Sequence, residues 1–135
     1  MKIIKMNLNE LKHPEKNVRK HPKKQIQELQ RSIKMFGQIR PIVVDENNVI
    51  LAGNGLAQAL REMGETQAKV LKISNLSEKD KIKLMVADNR IYSLGFDDHD
   101  NIFELLSQLD GDFDVPGYDE ELLEELLAED EEVEE

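Results

Sequence analysis

Ile50-Leu51-Ala52-Gly53-Asn54-Gly55-Leu56-Ala57-Gln58-Ala59-Leu60-Arg61-Glu62-Met63-Gly64 reads as strand, glycine turn, helix and glycine stop. The apolar run 49–52 suits a strand. Gly53-Asn54-Gly55 breaks it, a helix over about 56–63 follows, and Gly64 closes that helix. Two glycines at such an elbow let backbone N–H groups converge at the helix N-terminus. That terminus favours an anion through its open donors and its dipole. The plain alternative is a strand-to-helix turn that holds no ligand, which is what most Gly-x-Gly pairs are.

Upstream, Ile42-Val43-Val44 is a β-branched run and Asp45-Glu46-Asn47-Asn48 is a turn, so 42–52 is predicted to be a hairpin. Ile26, Leu29, Ile33 and Phe36 recur at spacings of 3, 4 and 3 and mark one face of a helix. Pro22 suits its first turn and Gly37 its end. Ile3, Ile4 and Met6 predict a first strand, and residues 12–21 form an aperiodic loop. Downstream, Ala68–Ile73 is a strand. Ser77 is a candidate cap for a helix from Glu78 to about Ile91, with Ile82, Met85, Val86 and Asn89 on one face. Ile102, Phe103, Leu105, Leu106 and Leu109 fit a short helix. Asp119–Ala128 fits a last one, with Leu122, Leu123, Leu126 and Leu127 as its apolar face. The predicted order is β, α, β, β, α, β, α, α, α. The fold class is α+β: a small mixed β-sheet with packed helices, plus a helical acidic C-terminal extension. The expected divisions are a domain over 1–95, the extension over 96–128, and a disordered acidic tail over 129–135.

The chain has 135 residues and neither Cys nor Trp. Zinc ribbons, disulfide scaffolds and cysteine nucleophiles all need a thiol and are excluded. No run approaches the ~18 apolar residues of a membrane span, and Met1–Lys5 is too short and interrupted for a signal peptide. A soluble cytoplasmic protein, without a membrane partner, is expected. The net charge of −10 is unevenly spread. Residues 1–40 hold eleven Lys/Arg against three Glu, net +8; residues 41–109 are net −4; residues 110–135 carry fourteen acids and no base. A basic opening third suits phosphate, by ion pairing and counterion release. The acidic end repels polyanions. Solvated surface explains both runs equally well.

Around the elbow, four segments in order carry a resemblance. They are Asn17-Val18-Arg19-Lys20-His21, then Gln27–Val44 with its Ser-Ile, Gly and Pro-Ile-Val-Val, then Val49–Gly64, then Lys79–Ile91 with Ala87-Asp88-Asn89-Arg90. Over most of residues 1–92 the chain resembles the ParB N-terminal domain of the ParB/sulfiredoxin superfamily, in the phage and prophage form that often accompanies a DNA methyltransferase. Pro116–Leu123 resembles the acidic segment that follows in that subgroup. The resemblance implies a fold that binds nucleotide or DNA phosphate. It covers cytidine-nucleotide-dependent DNA clamps, phosphoryl-transfer enzymes and nucleases. Arg19, Lys20, Gly53, Asn54, Gly55, Asn89 and Arg90 are the implied phosphate-binding residues, and Asp88 the implied metal ligand. The chain departs from the pattern where box arginines fall at Gly55, Leu56 and Tyr92. One charge-assisted contact to phosphate is worth roughly 1.5–3 kcal/mol, so each loss matters. Arg19, Lys20, Arg40, Arg61 and Arg90 are the candidates to replace them. The cysteine of sulfiredoxins is absent, which excludes their chemistry.

Two further clusters have ordinary readings. Asp97-Asp98-His99-Asp100 looks like a metal set, but adjacent residues rarely converge and Asp before a helix is a common cap. Glu28, a candidate general base, is an ordinary helix-surface residue. The resulting function is a ParB-like DNA-metabolism accessory protein that binds DNA or nucleotide phosphate. One alternative is a catalytically dead interaction module whose acidic tail mimics DNA. The other is a Mg²⁺-dependent nuclease or phosphotransferase, in which Asp88 and Asn89 handle metal or phosphate. The candidate cofactor is Mg²⁺ with CTP, ATP or ADP. Candidate partners are DNA, a nucleotide, a host or phage DNA-processing protein, and a second copy in a homodimer.

Overall fold

The fold is that of a computed structural model, which describes residues 1–134 and, from residue 129 onward, the backbone alone. Two compact units are present, Met1–Leu94 and Gly95–Glu135. In the first, β1 (Ile3–Asn7) leads through a 3-10 turn (Leu8–Glu10) and a long loop to α1 (Lys23–Phe36). Then come β2 (Ile42–Val44), β3 (Ile50–Ala52), α2 (Asn54–Glu62), β4 (Gln67–Lys72) and α3 (Glu78–Leu94). Among the described residues these strands form one sheet in the order β1-β4-β2-β3. β1 runs antiparallel to β4, with Lys5 opposite Lys69. β4 is parallel to β2, with Ile42 opposite Val70. β2 and β3 form the expected antiparallel hairpin.

Period-two alternation buries Ala68 and Val70 from β4 and Ile42 and Val44 from β2. These meet Met6, Leu8, Leu11, Ile50, Ala57 and Leu60 in one core, against which Ile33 and Leu56 pack. The α1 face is as predicted at Ile26, which is buried, and weakens toward Phe36, which is 63% exposed. Gly37 ends α1 at φ +80, its N–H bonded to the Ile33 carbonyl at 2.8 Å. Beyond it the Gln38 side chain stands in for a strand. Its Nε2 donates to the Lys69 carbonyl and its Oε1 accepts from the Lys69 N–H, at 2.9 and 2.8 Å. It thereby pairs β4 just before β2 begins.

One expectation needs correction. The apolar face drawn on α3 is turned to water at Ile82 and Val86, 63% and 53% exposed, while Met85 and Asn89 are half-buried and Lys81 is buried. Electrostatics override hydropathy here. Lys81 Nζ lies 3.1 Å from Asp45, 2.8 Å from Glu46 and 2.9 Å from Glu78, which fastens α3 to the hairpin turn. Residues 12–21 form the expected loop. Lys12 bridges Val49 in parallel and covers the outer edge of β3.

In the second unit, Asp98 Oδ1 accepts from the Asn101 N–H at 3.1 Å and caps α4 (His99–Ser107). Asp119 Oδ1 accepts from the Leu122 N–H at 2.7 Å at the start of α5 (Glu120–Glu134). The backbone of α5 stays helical past Ala128, where the sequence suggested its end. The tail expected to be disordered over 129–135 has a helical backbone as far as Glu134, and Glu135 lies outside the described residues.

Candidate functional site

Gly53 stands at φ +104, ψ 22, in left-handed backbone that only glycine adopts without strain. A Cβ there would also lie 3.3 Å from the Cα of Ile42, which is fully buried in β2. The glycine therefore lets the chain turn against the central strand and start α2 at Asn54, two residues earlier than predicted. The first intrahelical bond is Ala57 N–H to the Gly53 carbonyl, at 2.9 Å. The amides of Asn54, Gly55 and Leu56 precede it and are the helix's open donors.

The loop between the 3-10 turn and α1 lies over this elbow. At Gly55 an added Cβ would come within 2.7 Å of the His21 ring, so Gly55 is what admits the imidazole. His21 Nδ1–H donates to Gln25 Oε1 at 2.9 Å. On the other side, His13 Nδ1–H donates to Oδ1 of the buried Asn54 at 2.6 Å. The Arg61 guanidinium donates to His13 Nε2, and its Nη2 donates to the carbonyls of Leu8 and Leu11, both at 2.9 Å. An arginine can only donate, which fixes the His13 proton on Nδ1. Arg61 thus binds the carbonyls of the turn after β1 and is withdrawn from the candidates for phosphate. Asn54, expected as a phosphate contact, is held by its side chain in this network, so only its backbone N–H faces the role proposed for it.

Arg19 Nε donates to Asn89 Oδ1 at 3.0 Å, across seventy positions of sequence. The first and fourth segments that carry the resemblance therefore meet, and His21 at Gly55 brings the first against the third. Lys20 and Arg90, next to this pair in sequence, are exposed. Asp88 is exposed too, and among the described residues no three His, Asp or Glu side chains gather as a metal set. That covers Asp97–Asp100, where Asp98 serves as a cap. Glu28 is occupied by Lys24 at 3.3 Å and Arg31 at 3.2 Å. A cleft of about 370 Å³ opens beside His21 between α1 and α2, lined by Lys23, Gln27, Gln30, Gln58 and Glu62.

The displaced protonation equilibria lie elsewhere. Its hydrogen bonds to Glu46 and then Glu78 hold the Lys81 ammonium above its usual range, against the opposing effect of burial. Burial pushes Asp45 up, but the Val49 N–H, Lys81 and the Asn47 N–H together outweigh it and leave the carboxyl below its ordinary value. The Lys81 hydrogen bond lowers Glu46. Lys81 is eight residues before Asn89, about 12 Å along a helix, so this cluster is a structural fastening.

A family model for the ParB N-terminal domain matches residues 1–90. The chain belongs to the ParB N-terminal domain family. A relative within it is the ParB-like nuclease domain-containing protein YnaK of Escherichia coli (strain K12). It is 33% identical over 81 residues, which are 60% of this chain and 93% of the relative. The fold is similar to that of the C-terminally truncated chromosome-partitioning protein ParB of Caulobacter crescentus, solved in complex with CTP-gamma-S. The TM-score is 0.80 at 13% identity, covering 94% of this chain and 77% of that one. Sulfiredoxin of Arabidopsis thaliana is similar at a TM-score of 0.53 and 18% identity, covering 64% of this chain and 98% of that one. These two likenesses are of fold: a four-stranded mixed sheet with helices, as expected from the sequence.

Sequence reasoning singled out Arg19, Gly53, Gly55 and Asn89, and the structure brings their segments together. It missed His13 and the covering role of His21. The signal for His21 was the second glycine, whose missing side chain leaves room for a ring.

Proposed function

We propose that this ParB-family chain binds phosphate groups of a nucleotide or of DNA, as an accessory protein of DNA metabolism. The bond between Arg19 and Asn89 carries this reading. It holds a guanidinium on α3, two residues before the His21 that covers Gly55, with a neutral amide as partner, so the positive charge stays available to an anion. The open amides of α2 supply further donors. The donor set fits phosphate. Mg²⁺, if carried by a nucleotide, would rest mainly on the phosphates, with Asp88 as the chain's ligand; its role would be to neutralise phosphate charge. The imidazole over Gly55 means that an anion contacts the α2 amides beside His21 or after its ring rotates away. The amide-lined cleft next to His21 is of a size for a small polar ligand. We assign these roles to the domain over 1–95.

Thermal-shift measurements with ATP, ADP and CTP, with and without Mg²⁺, test this. Ligand at a hundred times Kd stabilises by about 2.7 kcal/mol. Arg19→Ala should weaken the effect by about ten- to a hundredfold in affinity. Absence of any shift, together with no salt-dependent binding to duplex DNA, would refute the proposal.

A further inference from the structure

Tyr92 lies three residues after Asn89 on α3, so the two share a face one helical turn apart, about 5 Å along the axis. Asn89 holds Arg19, from the loop before α1. Tyr92 holds Arg40, from the loop after α1: Arg40 Nη1 donates to the Tyr92 hydroxyl at 3.1 Å, and its guanidinium carbon is 5.6 Å from the ring centroid. Both arginines are exposed. Among the described residues neither is in an ion pair; each is oriented by a neutral amide or phenol. Two fixed guanidinium forks with uncompensated charge, side by side on one helix face, are a poor device for stability, because exposed orientation costs side-chain entropy. They are a good device for holding two neighbouring anionic oxygens, since a planar fork needs a defined direction to bind in bidentate fashion.

We propose that Arg19 and Arg40, presented by Asn89 and Tyr92, form a paired clamp for adjacent phosphates. Tyr92 is a positioning residue in it. Tyr92 occupies a position where the resemblance led us to expect an arginine, and the guanidinium there comes instead from Arg40, fifty-two residues earlier. The proposal rests on the phosphate-binding reading and extends it beyond the α2 elbow to α3. Adjacent phosphates occur both in a nucleic-acid strand and in the chain of a nucleoside triphosphate, and the test separates these sources.

The full chain and its Arg19→Ala, Arg40→Ala and Tyr92→Phe variants are titrated with labelled duplex DNA of mixed sequence over a range of salt. ATP, CTP and inorganic triphosphate are titrated in parallel. Arg40→Ala should weaken binding by about ten- to a hundredfold. On DNA it should also reduce the slope of log K against log salt by about 0.9, the value for one lost phosphate contact. Tyr92→Phe removes the hydroxyl but keeps the ring; it should weaken binding several-fold and leave the salt slope unchanged. A merely structural role for Arg40 would lower the unfolding midpoint and leave the slope alone. An effect confined to triphosphates assigns the clamp to free nucleotide, and one confined to DNA assigns it to the strand. Binding that weakens in Arg19→Ala but not in Arg40→Ala overturns the clamp and leaves the elbow reading intact. No binding of any probe by the unmodified chain overturns both.

Discussion

Gly53→Ala tests the geometry on which the elbow depends. The substitution places a side chain in left-handed backbone at φ +104, a cost of about 1–2 kcal/mol. Its Cβ also meets Ile42 Cα and Cγ1, both at 3.3 Å. Ile42 is fully buried between β4 and β3, so the strand cannot give way without disturbing the core. Crowding of this kind costs roughly 1–3 kcal/mol more. The expected loss is therefore about 2–5 kcal/mol, or a fall in Tm of roughly 10 °C or more for a domain of this size. Gly64→Ala is the control. It has the same kind of backbone, φ +81, but nothing within 4 Å of the new methyl, so only the conformational cost of about 1–2 kcal/mol applies. Gly55→Ala is different again. Gly55 lies within α2, where alanine gains up to about 1 kcal/mol in helix propensity, and its methyl is opposed by the His21 ring at 2.7 Å. Adding His21→Ala to Gly55→Ala should then restore stability. Urea titration followed by circular dichroism measures all four. If Gly53→Ala loses no more than Gly64→Ala, the close approach to β2 is not real and the reasoning fails.

Arg61→Ala removes a guanidinium from the Leu8 and Leu11 carbonyls, and should cost about 2–4 kcal/mol in urea titration, with Arg61→Lys recovering only part. The hairpin fastening gives a pH dependence of defined sign. Asp45 and Glu46 are lowered in the folded chain, so their contribution is present above ordinary carboxylate pKa values, ~4, and is lost as pH falls through the folded values. Lys81 is raised, so its contribution holds below the unfolded pKa, ~10.4, and disappears only at more alkaline pH. Lys81→Met should move the midpoint of acid unfolding to higher pH, because both carboxyls lose the partner that lowers them; an unchanged midpoint would contradict this.

The fold was legible where one residue type answers one local demand. Gly53 and Gly64 mark positive φ, and the β-branched run at 42–44 and the spacing of Ile26, Leu29 and Ile33 mark the sheet and the helix over it. The caps at Ser77 and Asp98 were legible for the same reason: each side chain bonds the amide three residues on. The α3 face was not. Its orientation is set by Lys81 reaching carboxylates at 45 and 46, a contact between distant segments that no helical period encodes. Similarly, the charge of Arg61 suggested phosphate, but its partners are two carbonyls from the turn after β1, where the loop has no period to reveal them. The meeting of Arg19 with Asn89 was implied only by resemblance, since local sequence carries no sign of a bond across seventy positions.

Backbone amide chemical shifts, followed while the isotope-labelled chain is titrated with CTP, ATP and short duplex DNA, report directly on where an anion settles. Saturable movement of the Asn54, Gly55 and Leu56 amides together with the Arg19 side-chain N–H is the predicted result. Shifts that leave the start of α2 and Arg19 unmoved, while other surfaces respond, would contradict it.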